Sequence, residues 1–288
     1  MSQTAIKSLL EHQLQQDGLF ETLIPGIQFF RFTKPRQCAP VVYVPTVIAI
    51  VSGAKEAIFD GQSNIYDSQQ YLCCTMTMPV KGGISSATPE QPLLGISINI
   101  DNRIMTEIVL ELNSNTTVAN MSRTLSPGLT SAKWNTQFEN ALLRLVQIAN
   151  NKEEAAILGL NRIREVYYAI LKGEAGPAVQ GVFGTDNGIH RAIHYLTEHF
   201  NESISIEDLT SRIGMSRAVF HRKFKETTNM SPIQFLKAIR LNSAAMLISQ
   251  GNNVQEASAT VGYTSPSQFS REFKRMFGAS PKQWSIHQ

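Results

Sequence analysis

The chain has very little cysteine: three residues among 288, Cys38, Cys73 and Cys74. Three thiols cannot build the disulfide framework of small secreted domains, and the N-terminus has no hydrophobic segment of the kind that directs secretion. These absences predict a protein of the reducing cytoplasm.

Histidine is scarce as well, with six residues in the chain and one, His12, in residues 1–187. A metal-dependent barrel enzyme needs clustered histidines with a carboxylate, and a nucleophilic cysteine or serine needs a histidine base. His190 and His194 lie four residues apart, a spacing that can bind zinc, but we interpret them as a surface or hydrogen-bonded pair. The sequence therefore predicts no catalytic residues, no metal and no cofactor, and it favours a binding protein over an enzyme.

Long hydrophobic runs are also missing. Pro45 interrupts the longest apolar run, which is far shorter than the roughly 20 residues that cross a bilayer. We expect no membrane association, and the length suffices for two domains that each bury a core.

What the chain does contain is an internal duplication near its C-terminus. The segments Ile206–Leu236 and Val254–Trp284 align, with one residue inserted in the second copy. Aligned pairs include Gly214/Gly262, Phe220/Phe269, Arg222/Arg271, Phe224/Phe273 and Lys225/Lys274. Two copies are too few for a solenoid, so they indicate a tandem pair of one small module.

Each copy has the pattern of a helix-turn-helix unit. The predicted units span residues 206–228 and 254–277. An acidic first turn and inward apolar positions indicate the first helix, and Gly214 and Gly262 stand where a tight turn requires positive φ. Ser216 and Thr264 follow as candidate N-caps of the second helix.

The second helix of each unit is predicted to have one buried face and one outer face. Its two phenylalanines, four residues apart, face inward, and stepping about 100° per residue places small, polar and basic residues opposite them. These are Ala218, His221, Arg222 and Lys225 in the first copy and Ser267, Ser270, Arg271 and Lys274 in the second. Such a face suits the major groove of double-stranded DNA, because arginine can read guanine while lysine and serine hold phosphates. Ordinary solvated charges are the alternative, which the duplication disfavours.

The segment Gly262–Trp284, GYTSPSQFSREFKRMFGASPKQW, resembles the signature of the AraC/XylS-type transcriptional regulators nearly residue for residue. The DNA-binding domain of that family is a pair of helix-turn-helix units joined by one linker helix. The resemblance implies base-facing or backbone-contacting positions for Arg217, Ala218, His221, Arg222, Pro266, Ser267, Ser270 and Arg271. Ala218 and Pro266 depart from the larger polar or aromatic residues of other members, so little base reading is expected from those two positions.

A linker helix is predicted between the copies, beginning at Ser231-Pro232 and ending at Gly251. Its seventeen or so residues would span roughly 25 Å. Such a spacer fits two recognition helices that enter successive major grooves about 34 Å apart. The apolar positions expected to bury against both modules are Ile233, Leu236, Ile239, Ala244, Leu247 and Ile248.

Charge divides the chain into two parts. Residues 188–288 carry a net charge of +5 and residues 1–187 a net charge of −2, so a polyanionic partner is expected for the C-terminal part alone. Between them a glycine-rich stretch predicts a linker. The predicted organisation is a sensor domain at 1–172, a linker at 173–187 and a DNA-binding domain at 188–288.

The N-terminal part predicts a small β-barrel or sandwich at about residues 20–100, because short apolar runs between Val41 and Ile100 alternate with turn residues. The predicted turns are Ser52-Gly53, Asp60-Gly61 and Lys81-Gly82-Gly83. Helices are predicted at 101–112, about 134–150 and 153–172. This half resembles the cupin-like sensor domain of one subgroup of the same family. The resemblance implies a domain that binds a small molecule or a protein and thereby alters DNA binding or contact with RNA polymerase.

Two features of the N-terminal part have more than one interpretation. Cys73 and Cys74 are adjacent in a predicted strand, so one side chain should point into the core and the other outward. They are either a reactive-thiol sensor or small hydrophobes, the latter being the commoner role. The apolar stripe of the later helices suits packing on the barrel or a homodimer seam. It comprises Leu142, Leu143, Leu145, Val146, Ile157, Leu160, Ile163, Val166 and Tyr167.

The sequence therefore predicts a two-domain α+β protein. A small cupin-like β-barrel with flanking helices precedes an all-α domain of two helix-turn-helix units joined by a linker helix. The predicted function is sequence-specific regulation of transcription. The alternatives are an architectural protein that bends DNA with little sequence preference, and a cupin-like enzyme with a DNA-binding tail.

Overall fold

The computed structural model describes residues 2–59, 62–114, 128–183, 188–228 and 230–284. The chain divides into two compact units. The first comprises Met1–Cys38, Val44–Thr75 and Gly82–Asp186, and the second comprises Ala39–Tyr43, Met76–Lys81 and Asn187–Gln288. A β-rich unit with helices and a largely helical unit confirm the predicted two-domain α+β class.

Among the described residues, ten strands form two sheets. The strands are β1 Gly18–Glu21, β2 Ile27–Phe32, β3 Arg36–Tyr43, β4 Thr46–Ser52, β5 Ala54–Phe59, β6 Gln62–Asp67, β7 Gln70–Cys74, β8 Met78–Ser86, β9 Leu93–Asn99 and β10 Leu129–Lys133. The six-stranded sheet has the order β1-β2-β9-β4-β7-β10, and the four-stranded sheet has the order β3-β8-β5-β6. The predicted turn at Asp60-Gly61 lies outside the described residues.

The strand β4 lies inside the six-stranded sheet, and all seven of its residues are buried. Val47 is opposite Ile98 of β9 on one side and Cys73 of β7 on the other. A continuous apolar run is what a strand covered on both faces requires. The chain then passes from this sheet into β5 at Gly53, whose φ of +75° confirms the predicted turn.

The turn predicted at Lys81-Gly82-Gly83 is wrong, because all three residues lie inside β8. Gly83 serves a close backbone approach instead. A Cβ atom there would lie 2.9 Å from the Arg36 carbonyl oxygen and 2.8 Å from the Cys38 sulfur. The two adjacent glycines therefore mark strands that pass closely, not a reversal of the chain.

Cys73 and Cys74 are both buried, so the prediction that one points outward is wrong. The strand β7 lies between β4 and β10, and its faces are covered on both sides. Tyr71, on the same face as Cys73, stacks on Phe138 of a covering helix at 4.3 Å. Burial raises the pKa of the Cys73 thiol to about 12, so this thiol stays protonated at neutral pH, which favours the hydrophobic role over the reactive one.

Five helices complete the described part of the first unit: α1 Ser2–Gln13, α2 Asn102–Ser114, α3 Thr136–Ile148, α4 Lys152–Lys172 and α5 Gly176–Phe183. The three helices predicted after the β region correspond to α2, α3 and α4. The sequence prediction missed α1, which packs on α3 and on the six-stranded sheet through the fully buried Ile6 and Leu10. Most of the predicted apolar stripe is buried, whereas Ile157 is 67% and Leu160 55% exposed.

The glycine-rich stretch predicted as a linker at 173–187 contains α5, and this prediction is wrong for most of its length. Val179, Val182 and Phe183 are buried, and the helix packs on α4 and α2. Gly176 permits the close return after α4, since a Cβ atom there would lie 2.2 Å from the Leu171 carbonyl oxygen. Residues 184–187 lie outside the described residues.

Lys55 of β5 is directed toward the core of the first unit. It pairs across the sheet with Tyr66 and shares a strand face with Ala57, and both of these residues are fully buried. Its ammonium lies 5.3 Å from the centre of the buried Phe30 ring of the other sheet. Removal from water lowers the pKa of Lys55 to about 8.

The second unit contains seven helices in its described part: α6 Gly188–Glu198, α7 Ile206–Ile213, α8 Arg217–Thr228, α9 Pro232–Ser249, α10 Val254–Thr260, α11 Pro266–Phe277 and α12 Pro281–Trp284. In the part of the chain that the structure describes, no helix combines the length and apolar character needed to cross a bilayer.

Candidate DNA-binding surface

The first helix-turn-helix unit consists of α7 and α8, joined at Gly214. Ser205 caps α7 by accepting a hydrogen bond from the Asp208 backbone N–H at 3.2 Å. Gly214 ends the helix with φ of +68°, as predicted. Ser216 Oγ accepts from the Val219 N–H at 3.5 Å, which confirms it as the N-cap of α8.

The second helix-turn-helix unit consists of α10 and α11, and its turn again contains a glycine in the left-handed region, Gly262 with φ of +85°. The N-cap of α11 is Ser265, whose hydroxyl accepts from the Gln268 N–H at 3.3 Å. The prediction of Thr264 as this cap is wrong. The inserted residue of the second copy moves the helix start, and Pro266, with its fixed φ and missing N–H, occupies the first helical position.

Buried phenylalanines fix the rotation of both recognition helices, as predicted. Phe220 and Phe224 are completely buried, with ring centroids 5.4 Å apart, and Phe269 and Phe273 repeat this arrangement at 5.4 Å. Phe224 also meets Phe235 of α9 edge to face at 5.4 Å. Because burial of one such side chain stabilises by roughly 1.5–3 kcal/mol, rotating either helix outward would be costly.

The opposite face is exposed in both helices. The predicted residues exposed there are Ala218, Arg222 and Lys225 in α8 and Ser267, Ser270, Arg271 and Lys274 in α11. Each helix therefore presents an arginine and a lysine three residues apart at equivalent positions. This places a bidentate donor and a point cation side by side on a rigid support.

His221 is the exception, because it is only partly exposed. Its ring lies edge-on to Phe220 at 5.8 Å, and its Nε2 atom is buried without a hydrogen-bond partner. The position lies about 100° from Phe220 around the helix, at the edge of the apolar face. The prediction that His221 belongs to the outer face is wrong for this conformation.

Arg217 is exposed but already paired. Its Nη1 atom lies 2.7 Å from Glu207 Oε1 on α7, and both side chains are about two-thirds exposed. The aligned residues of the second copy are Pro266 and Gln255, so only the first unit has this ion pair. The pairing competes with any anion for the Arg217 guanidinium.

The sequence prediction omitted Arg275, which is exposed in the last turn of α11. At about 100° per residue it lies about 40° from the direction opposite the phenylalanines, closer than Ser270 at about 100°. The equivalent residue of α8 is Glu226, so the two outer faces differ in charge at this position. Extending the rotation to the helix end would have found it.

The linker helix α9 has 18 residues and a length of about 27 Å. Ser231 and Gln234 form a reciprocal capping box, and Pro232 begins the helix. Ile233 was predicted to be buried but is 53% exposed, because it lies about 200° around the helix from the buried Phe235. The predicted burial of Ile239, Ala244 and Ile248 is confirmed.

The second recognition helix is held to α9 by a polar cluster. The Glu272 carboxylate accepts hydrogen bonds from Tyr263 Oη at 2.7 Å, Lys237 Nζ at 2.7 Å and Gln268 Nε2 at 3.2 Å. Burial alone would raise the pKa of Glu272, but these three donors together hold it below its usual value. The carboxylate is therefore charged at neutral pH.

The histidine spacing at the start of the second unit does not assemble a metal site. His194 lies 3.1 Å from Glu198 on the same helix and is more than half exposed. Among the residues that the structure describes, no three His, Cys, Asp or Glu side chains are grouped so that they could hold a metal ion.

Comparison with protein families assigns both halves of the chain. The model of the AraC-type transcriptional regulator N-terminus matches residues 23–178, and a helix-turn-helix domain model matches residues 209–285. The chain belongs to the AraC-type transcriptional regulators. The AraC-type N-terminal match extends into α5, in agreement with the packing of that helix on the first unit.

Two AraC-type relatives illustrate the extent of the similarity. The raffinose operon transcriptional regulatory protein RafR of Pediococcus pentosaceus is 31% identical over 141 residues, 49% of this chain and 50% of RafR. The transcriptional activator RhaS of Escherichia fergusonii is 25% identical over 150 residues, 51% of this chain and 52% of RhaS. The chain thus spans about half the length of these curated relatives.

The AraC-type fold extends over both units. The crystal structure of wild-type ToxT from Vibrio cholerae, bound to an unsaturated fatty acid, matches 95% of this chain and 97% of ToxT with a TM-score of 0.57 and 12% identity. At this identity the match establishes the common two-domain fold.

Proposed function

We propose that this chain is a sequence-specific transcriptional regulator that binds double-stranded DNA through two major-groove contacts. The observation that carries the proposal is the duplicated exposed face, on which Arg222 and Arg271 occupy equivalent positions. Aromatic cores fix the helices behind them, and α9 separates the units by a length comparable with the roughly 34 Å turn of B-DNA. We propose that it acts in the cytoplasm, on the same side of the membrane as its DNA.

Within this surface we assign different roles to the two kinds of cation. Arg222 and Arg271 read base edges, because guanidinium binds guanine bidentately. Lys225 and Lys274, with Ser267 and Ser270, hold phosphates and set the register. Ala218 supplies an apolar contact to the DNA. Arg217 reaches a phosphate only after its ion pair with Glu207 breaks, and His221 reaches the DNA only in a different rotamer.

The proposal is tested by selecting bound duplexes from a randomised library with the full chain at near-physiological salt. We expect an enriched motif of two blocks about one helical turn apart. Enrichment of a single block would make the other unit a backbone clamp. A ratio of specific to random binding near one would replace this proposal with the architectural, DNA-bending alternative.

Alanine substitutions separate base reading from phosphate binding. Arg222→Ala or Arg271→Ala is expected to weaken operator binding by about 1–3 kcal/mol and to relax base preference locally. Lys225→Ala or Lys274→Ala is expected to weaken binding to operator and random DNA by similar factors. Titrations on both duplexes measure this, and equal losses on the two for the arginine variants would contradict base reading.

The ion pair between Arg217 and Glu207 of the first helix-turn-helix unit leads to a second prediction. Glu207→Gln should strengthen binding to any duplex by about two- to fivefold, because it releases Arg217 and removes a negative charge near the phosphates. The control is the double variant Glu207→Gln with Arg217→Ala. Binding to DNA is titrated at several salt concentrations for wild type, the two single variants and the double variant. An equal gain with and without Arg217 would show that the pair does not restrain that arginine.

We further propose that the first unit controls this activity by binding a small molecule and that the regulator contacts RNA polymerase. Similarity in fold to ToxT, whose structure contains a fatty acid, and in sequence to RafR, a raffinose operon regulator, supports a small-molecule effector.

The exposed Ile157, Leu160 and Leu23 of the first unit support a homodimer. Sedimentation showing a monomer at micromolar concentration would exclude the dimer.

A further inference from the structure

The second recognition helix carries an acidic residue, although its outer face is basic. Glu272 lies on the side of α11 that faces α9, and its side chain is 22% exposed. Lys237 of α9 neutralises its charge, and Tyr263 Oη donates to its second oxygen at 2.7 Å. The carboxylate is therefore directed away from the phosphates that the outer face would meet, and it ties α11 to the linker helix.

The polar contacts continue to the loop between α6 and α7, which precedes the first helix-turn-helix unit. Arg240, one turn along α9 from Lys237, donates hydrogen bonds to the carbonyl oxygens of Phe200 at 2.5 Å and Glu202 at 2.6 Å. Its guanidinium also lies 6.0 Å from the centre of the Tyr263 ring. One connected set of contacts therefore joins the loop between α6 and α7, the linker helix and the second recognition helix.

The first copy has no counterpart of Glu272 or of the two residues of its own module that donate to it, Tyr263 and Gln268. Glu272, Tyr263 and Gln268 align with Lys223, Met215 and Val219. The first recognition helix contacts α9 through the rings of Phe224 and Phe235. The second shares an apolar core with α9 as well, but it adds a directional contact, the bond from Lys237 of α9 to a carboxylate that Tyr263 and Gln268 hold in place.

We propose that Glu272 is a positioning residue for DNA recognition, which fixes the orientation of α11 on α9 and hence the separation at which the two recognition helices meet the duplex. The proposal rests on the proposed function. It predicts a particular loss: without Glu272, the regulator tolerates a wrong distance between its two DNA blocks, because the second helix adjusts.

The test measures binding of the full chain to three duplexes from the library selection: the two-block sequence, the same blocks moved apart by one base pair, and random DNA. We expect wild-type protein to bind the altered spacing about tenfold more weakly than the original. Glu272→Ala should reduce this ratio to about twofold, whereas any gain from the lost negative charge should be the same on all three duplexes. Glu256→Ala removes an exposed acid of the same module and is the matched control, which should keep the wild-type ratio.

Two further variants distinguish positioning from general damage. Tyr263→Phe removes only the hydroxyl that donates to Glu272 and should lower the spacing ratio part of the way, whereas Glu272→Gln retains an accepting oxygen and should restore much of it. Equal weakening on all three duplexes, or an unchanged ratio in both Glu272→Ala and Tyr263→Phe, would overturn the positioning role. Wild-type protein that binds all three duplexes equally would overturn the proposed function and the positioning role together.

Discussion

Gly262→Ala is expected to destabilise the second unit by about 2–5 kcal/mol, more than any other single change considered for this chain. Two costs combine at this position. Alanine is strained at φ of +85°, and its Cβ atom would lie 2.3 Å from the Asn201 carbonyl oxygen and 2.7 Å from the carbonyl carbon. Backbone atoms cannot turn aside as a flexible side chain does, so the α6–α7 loop would have to move.

The duplication supplies the matched control. Gly214 has φ of +68°, but a Cβ atom added there would meet nothing within 4 Å. Gly214→Ala should therefore cost about 1–2 kcal/mol from backbone strain alone. The chain has two tryptophans, Trp134 in the first unit and Trp284 in the second, so a Trp134→Phe background leaves one reporter of the second unit. Equal shifts of its unfolding midpoint for the two alanine variants would contradict the contact with Asn201.

Lys55→Met is expected to stabilise the first unit by about 2–3 kcal/mol at pH 7, and the gain should shrink as the pH rises. Burial lowers the pKa of Lys55 to about 8 from an ordinary value of 10.5. Between these values the unfolded chain binds the proton and the folded chain does not, so wild-type stability rises with pH across this window. Below about pH 8 Lys55 is protonated in both the folded and the unfolded states, so the destabilisation from its desolvation is largest there.

Urea unfolding from pH 7 to pH 10, followed by Trp134 fluorescence in a Trp284→Phe background, measures this difference. Lys133→Met replaces an exposed lysine of β10 in the same unit and should change stability by no more than about 0.5 kcal/mol. A gain for Lys55→Met that stays constant between pH 7 and pH 10 would show that its ammonium is well solvated in the folded protein.

Sequence reasoning predicted the C-terminal half well because its determinants are local. Helical spacing located the buried phenylalanine pairs, and two glycines located the turns. One error there concerns the N-cap of α11, which a single inserted residue moves to Ser265. Another concerns His221, whose side chain packs beside Phe220 and does not point to the outer face. Rotation about an axis gives a direction but not a rotamer.

Long-range contacts explain the larger errors. The helix α5 was hidden by its glycines, which suggest a flexible linker until the close approach of Gly176 to Leu171 is known. The burial of both Cys73 and Cys74 follows from β10 and from the covering helices, which are distant in sequence. The position of the Glu272 carboxylate likewise depends on its hydrogen bond from Lys237, which lies 35 residues away and which no local pattern indicates.

The continuous α9 helix also bears on how such a regulator diverges over evolution. Each residue inserted into an α-helix adds about 1.5 Å and rotates everything beyond it by about 100°. If both outer faces bind one duplex, as proposed, a single insertion in α9 would therefore turn the second outer face away from that duplex. On this proposal, single substitutions on the exposed faces can change the preferred bases one position at a time. The distance between the two halves of a target site cannot change in such small steps, because it is set by the length of α9.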